Sequence, residues 1–307
     1  MKSKLKLFII VMLSVFVAGT VFGFDLVKPK TIKVDKNISD WTGVPPEQEN
    51  TSCVSSGEFI WKDVKGDDTG NGKYYYPANQ ELARGADLLE FRVTYDSKNV
   101  YFLIKTTRPG NWWTPFKLIG IHKEGQKGGL SFFPQGDSDT LDPTTGAFSE
   151  LRVASELSLH YTIAILGTFK GFIWDENGKM VARKLGENSD TKGFMVDDDK
   201  WSAVEVAIPI SIIGNPAGQT WKIIIGVGQE ENSHLREVYG EGNEWHGGGG
   251  EGKENEDGVD PDVFDLASPS QEIQEKELAS YNENGQAGDV AGFAVITESF
   301  VPVYFAK

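Results

Sequence analysis

The chain is poor in cysteine, histidine and cations, and each shortage excludes something. Cys53 is the only cysteine, so no internal disulfide can form and stability must come from packing or from metal. A half-buried, unreactive setting is the expectation for that thiol. The four histidines, His122, His160, His234 and His246, show no metal-ligand spacing to one another or to Cys53, which excludes a zinc site of the usual kind. Lys and Arg number 30 against 45 Asp and Glu. So acidic a chain does not bind nucleic acid, where affinity rests on neutralising phosphates. There is no nucleophile elbow, phosphate loop or dinucleotide fingerprint. With 45 acids, carboxylate pairs fall close by chance, so pairs alone do not argue for a glycosidase. After the first 23 residues no apolar run is long enough to span a membrane.

What is present begins with residues 1–23, which read as a secretory signal. Lys2, Lys4 and Lys6 precede a short apolar run, Leu7 to Val17, and Val21-Phe22-Gly23 precedes a cut ahead of Phe24. Without those three lysines, 27 cations face 45 acids, a net charge of −18. That suits a secreted, periplasmic or cell-surface protein that meets divalent cations. Residues 24–307 show no internal repeat and no linker, and are read as one domain.

The pattern of that domain is β almost throughout. Short β-branched and aromatic runs bounded by Gly, Asn, Asp or Pro predict strands at Thr31–Val34, Glu58–Trp61, Leu88–Tyr95, Val100–Thr106, Lys117–His122, Leu159–Leu166 and Phe169–Trp174. Lys179–Lys184, Trp201–Ile208, Trp221–Val227 and Gly292–Thr297 follow. Asn177-Gly178 marks a tight hairpin. Helix is expected at Gln271–Tyr281, capped by Ser270, with a weaker candidate at Phe148–Leu157. Many short strands and few helices predict an all-β fold, a two-sheet, jelly-roll-like β-sandwich with long loops. Trp41, Trp201 and Trp221 lie beside strand patterns and are expected in the core.

The loops carry the acids. They crowd into Asp63 to Asp68, into Asp137, Asp139 and Asp142, and into Glu251 to Asp265, where four glycines precede them. Calcium takes six to eight oxygens from carboxylates and carbonyls on adaptable loops. Asp67, Asp68, Asp137, Asp139, Asp260 and Asp262 are therefore the candidate Ca2+ ligands. Aromatics crowd the same loops: Tyr75 within Tyr74-Tyr75-Tyr76, the pair Trp112 and Trp113, and Trp245. Flat rings beside Asp, Asn and Gln suit the stacking and reading of a sugar, so these four are the candidate carbohydrate contacts. Trp112 and Trp113 are adjacent, so one is expected to turn inward and the other outward.

The order of these pieces resembles a family. Ile32 to Trp41 resembles the opening strand and turn of family 9 carbohydrate-binding modules. Trp201 to Gly214, with Glu205 and Pro209, resembles their penultimate strand. Asp67-Asp68 with Gly70 to Pro77, Asp87–Tyr95, and Gly240 to Asp265 resemble the carboxy-terminal domain of glucodextranase. The resemblance implies a non-catalytic, frequently calcium-binding sandwich with a polysaccharide or oligosaccharide partner. The alternative is a structural envelope protein that self-assembles through calcium-dependent contacts.

Overall fold

The computed structural model describes residues 25–134, 148–167, 170–182, 185, 189–196, 200–250, 260–282 and 293–307. In chain order the first strands are β1 (Thr51–Ser55), β2 (Glu58–Lys62), β3 (Leu88–Tyr95), β4 (Asn99–Thr106) and β5 (Pro115–Lys123). Then come β6 (Phe132–Pro134), β7 (Phe148–Val153), β8 (Tyr161–Leu166), β9 (Lys170–Asp175), β10 (Met180–Ala182), β11 (Asp190–Met195) and β12 (Ser202–Pro209). A single turn, α1 (Ile210–Ile213), leads to β13 (Thr220–Glu231). The short pieces β14 (His234–Leu235), β15 (Val238–Tyr239) and β16 (Gly247–Gly248) precede β17 (Val263–Leu266). Last are α2 (Gln271–Leu278), β18 (Ala294–Ile296) and β19 (Val301–Tyr304).

Two antiparallel sheets make the sandwich. One runs β1-β2-β3-β4-β12-β11. The other runs β10-β9-β8-β5-β13, and the far edge of the long β13 is shared in succession by β19, β17 and β14. Phe91, Phe102, Ile104, Val204 and Val206 of the first sheet meet Ile119, Ile121, Ile163, Ile173 and Ile223 of the second. Burying an aliphatic or aromatic side chain contributes roughly 1.5–3 kcal/mol, so this layer supplies most of the stabilisation.

The second sheet is covered on its other face too. Leu118, Ala164, Phe172, Trp174 and Ile224 pack beneath Phe133, Leu151, Leu157, Leu278 and Ile296, from a small third layer of β6, β7, the turn after β7, β18 and α2. That double cover explains Ile223-Ile224-Ile225: a strand buried on both faces loses its polar alternation. On the first sheet, Ile32 and Trp41 of the amino-terminal segment cover Tyr101, Leu103, Ala203 and Ala207.

Three expectations need correction. Phe148–Leu157 is not helix: Phe148–Val153 pairs with β6 and β18, and only Ser155–Leu157 turns, as 3-10 helix. Thr31–Val34 forms no strand but lies as extended cover on the first sheet. Trp201 is partly buried and packs against that outer layer, whereas Trp41 and Trp221 are 6% and 0% exposed. Elsewhere the Ser270 side chain caps α2 by accepting from Ile273 N at 3.3 Å. The helix ends at Leu278 and continues as a 3-10 turn to Asn282. The Asn177-Gly178 turn does join β9 to β10, with Gly178 at φ 74°.

Candidate functional site

The order of strands collects three connections at one end of the sandwich. β2 leaves and β3 enters there, joined by residues 63–87. β4 leaves and β5 enters there, joined by residues 107–114. Residues 232–250, which follow β13, and 260–262, which precede β17, lie at the same end. Tyr75, Trp112, Trp113 and Trp245 all stand on these connections.

Backbone bonds knit them. Ala78 N donates to Asn243 O and Asn79 N to Glu244 O, both at 3.0 Å, which sets the 74–79 stretch against the Trp245 turn. Gly110 N donates to Ala83 O at 3.2 Å, which sets the Trp112 turn against the same excursion, and Glu230 N donates to Thr114 O at 2.6 Å, which ties the turn to β13. Tyr75 and Gly248 exchange both backbone bonds, at 2.9 and 3.0 Å, and Gly242 N donates to Tyr75 Oη at 3.0 Å. The glycine run is explained by this packing. A Cβ on Gly248 would lie 2.1 Å from Tyr75 Cζ, so no other residue lets the chain rest on that ring.

Three of the rings stay in water. Tyr75 is 51% exposed, Trp112 44% and Trp245 48%, while Trp113 is partly buried. Gly167, at φ +55°, lies against the backbone of Trp112 and Trp113, where a Cβ would come within 2.8 Å of Trp112 O. The buried Lys117 Nζ donates to Gly167 O at 2.8 Å and holds this tip.

Behind the rings lies a cluster of buried carboxylates. Asp67, Asp87 and Asp265 each place an oxygen within 4.8 Å of the others. Asp63 sits beside them. Asp63, Asp67 and Asp87 are 3% exposed and Asp265 is 0%. Asp87 Oδ1 accepts from Gly66 N at 3.1 Å and Asp265 Oδ2 from Leu88 N at 2.6 Å. Both oxygens of Asp63, Oδ1 of Asp67 and Oδ1 of Asp265 are buried with no hydrogen-bond partner. Val64 N, the amide next to Asp63, donates to Asn50 Oδ1 at 3.3 Å. Among the described residues no Lys or Arg forms an ion pair with the four.

Burying unpaired charge is costly, and the acids respond by holding protons. Burial first, then the Asp68 carboxylate, pushes Asp87 up to about 7. Burial pushes Asp67 up to about 6, with Asp68 and Glu49 adding repulsion. Burial and the neighbouring Asp67 carboxylate raise Asp63 well above the usual carboxylate range, and burial with Asp63 and Asp67 does the same for Asp265.

Of the candidate metal ligands, Asp67 belongs to this cluster and Asp68 stands next to it, accepting a short hydrogen bond from Tyr76 Oη. Asp260 and Asp262 lie apart. Asp260 Oδ2 accepts from Tyr74 Oη and Asp262 Oδ1 from Val238 N, both at 2.7 Å. Asp137 and Asp139 lie outside the described residues. Asp63, Asp87 and Asp265 are the cluster members that acid crowding did not single out as ligands. Their signal is position: Asp63 directly follows β2, Asp87 directly precedes β3, and Asp265 interrupts the apolar run of β17.

Over residues 59–293 the chain matches the family described as the C-terminal binding-module, SLH-like, of glucodextranase. The chain belongs to that family. The matched stretch of this glucodextranase-type module holds the whole carboxylate cluster and all four aromatics. No curated protein matches the chain. A family 9 carbohydrate-binding module from Caldicellulosiruptor kristjanssonii, solved with cellotriose, is similar at TM-score 0.28 and 10% identity, over 68% of this chain and 80% of that one. A solved chain concerned with adhesion by Streptococcus parasanguinis fimbriae is similar at TM-score 0.19 and 7% identity, over 59% and 78%. Likenesses this distant carry no argument about ligand. In the module the two family-like ends of the sequence touch: Trp41 Nε1 donates to Glu205 Oε1 at 3.1 Å, and Lys36 N to Glu205 Oε2 at 2.9 Å.

Proposed function

We propose that this is a secreted, non-catalytic glycan-binding module of the cell surface, stabilised by calcium. The observation that carries the reading is the trio of half-exposed rings, Tyr75, Trp112 and Trp245, held by one hydrogen-bonded set of loops at one end of a binding-module fold. Exposed aromatics with fixed backbones stack on the apolar faces of sugar rings at little entropic cost. The membership in a family of binding modules supports the non-catalytic part. No helix among the described residues is long and apolar enough to cross a membrane.

The cluster fits a hard cation. Its donors are all oxygens, several of them buried and unpartnered, and Cys and His are absent from it. Asp67, Asp87 and Asp265 would hold calcium, with Asp63 close behind. A bound Ca2+ supplies the positive charge that the surrounding protein does not.

The test is retention on immobilised polysaccharides, with Trp112→Ala and Trp245→Ala beside the parent protein. Each variant should fold normally and lose affinity by about 1–3 kcal/mol, roughly 5- to 150-fold. Unchanged retention in both would remove these rings from the site. Large particles on calcium addition, without retention on any polysaccharide, would favour the envelope-assembly reading.

A further inference from the structure

The four buried aspartates occupy the roots of the loops that carry the exposed rings. Asp63 and Asp87 stand where the 63–87 excursion leaves β2 and enters β3, and Asp67 lies inside its first turn. Asp265 is in β17, at the end of the connection that carries Trp245. A cation bridging Asp67, Asp87 and Asp265 would therefore clasp both ring-bearing loops at their bases.

Contacts run from this clasp to the surface. Gln274 Nε2 donates to Asp67 O at 2.8 Å, and Gly70 N to Phe264 O at 2.8 Å. Asp68 accepts from Tyr76 Oη, and the same hydroxyl accepts from Ala86 N at 3.1 Å. The Tyr76 ring stacks on Phe264 at 4.9 Å. Tyr75, the preceding residue, carries the two-way bond to Gly248 and the Gly242 bond. Without a cation no ion bridges the segments that carry Asp67, Asp87 and Asp265, and the two loops lose that common anchor. The facing sheets keep their own apolar core, so the opening stays local.

Resting on the calcium reading above, we propose that the cation gates the ring-bearing surface: Tyr75 and Trp245 form one ordered face only while a divalent cation clasps Asp67, Asp87 and Asp265. The module would then release its glycan when calcium is withdrawn, without unfolding.

The experiment compares the full chain stripped with EDTA and reloaded with calcium chloride. Calcium binding is measured by calorimetry and backbone amide exchange by mass spectrometry. Loading should slow exchange about tenfold or more at Tyr75, Gly242 and Gly248. It should leave amides of β4 and β12, such as Leu103 and Glu205, unchanged. Calcium that binds while the Tyr75 and Gly248 amides exchange alike in both states overturns the gate but leaves the metal site standing. Calcium that does not bind at all overturns both. Asp265→Asn, checked for folding by circular dichroism, should bind calcium weakly and keep the stripped exchange pattern at any calcium level. Should it not fold, the stripped and reloaded parent protein decides the matter alone.

Discussion

Two sets of buried carboxylates flank the same pair of strands, and they are treated in opposite ways. Glu58 and Glu90 lie on the outward face of β2 and β3, where Arg92 Nη1 reaches Glu58 at 2.7 Å and Arg92 Nε reaches Glu90 at 2.8 Å. Lys30 adds a short ion pair to Glu58, and Arg92 also donates to Gly43 O at 3.0 Å. Burial works against the guanidinium, but Glu90 and Glu58 hold it more firmly protonated than usual. At the end of the same strands, Asp63 and Asp87 join Asp67 and Asp265 without such a partner. Only Lys65 exerts a weak pull on Asp87. The first set is closed by the chain itself. The second is not closed by the chain, and under the proposed calcium reading an ion would close it.

The largest expected effect comes from opening the closed set. Arg92→Met leaves Glu58 to Lys30 alone and Glu90 to Lys105 at 3.9 Å, in the dry layer beneath the amino-terminal segment. Breaking a buried pair by removing one partner costs about 3–5 kcal/mol. Urea denaturation should show that loss, and added calcium should not restore it. A variant as stable as the parent would show that water already reaches this set and that the contrast is false.

Closing the open set is the next effect. An ion that binds only the folded chain adds about 3 kcal/mol at a hundredfold excess over its Kd. The melting temperature should rise with calcium and return with a chelator. Asp265→Asn sharpens the point, because it removes a cation ligand while leaving an oxygen that can accept from Leu88 N. The variant should melt near the parent in chelator and respond little to calcium. A parent protein whose melting is flat across a chelator series would end the calcium reading.

How far this contrast could be read from the sequence depends on what each part needs. The sandwich was legible because β3, β4, β5 and β12 carry dense β-branched and aromatic runs. Strands without that density were missed. β1 is Thr-Ser-Cys-Val-Ser and β11 is Asp-Thr-Lys-Gly-Phe-Met, both sheet edges where one neighbour suffices and polar residues are tolerated. Gly228 and Gln229 weaken the strand pattern beyond Val227, yet β13 runs on to Glu231. Phe148–Val153 has no β-branched residue before Val153, and only its two partners make it a strand. At the site, acid crowding found Asp67 but not Asp87, a single acid at the mouth of a strand. Three aspartates from three separated segments become one cluster only through strand order, and no local spacing encodes that.

Lys117 is the mirror image of the aspartate cluster and tests the comparison from the other side. It is a cation buried without an acid. Its Nζ has Gly167 O at 2.8 Å and, among the described residues, no carboxylate partner. Burial pushes its pKa down to about 7 from 10.5. The sign follows from linkage. In the unfolded chain the amine binds its proton below about 10.5, while in the folded chain it stays neutral down to about 7, so its contribution to stability is present above pH 10.5 and is lost as pH falls to 7. Below pH 7 both states hold the proton and the loss stops growing. Lys117→Met removes that burden but leaves Gly167 O without its donor, an opposing cost of about 1 kcal/mol. The net expectation at pH 7 is a more stable variant, with an advantage that shrinks as pH rises toward 10. Calcium should not change this difference, since Lys117 is no part of the cluster. Denaturation curves of both proteins at pH 7, 8.5 and 10 decide it: parallel stability profiles would mean that Lys117 keeps its charge in the fold, and that this interior tolerates an unpaired cation better than the aspartate cluster tolerates its unpaired acids.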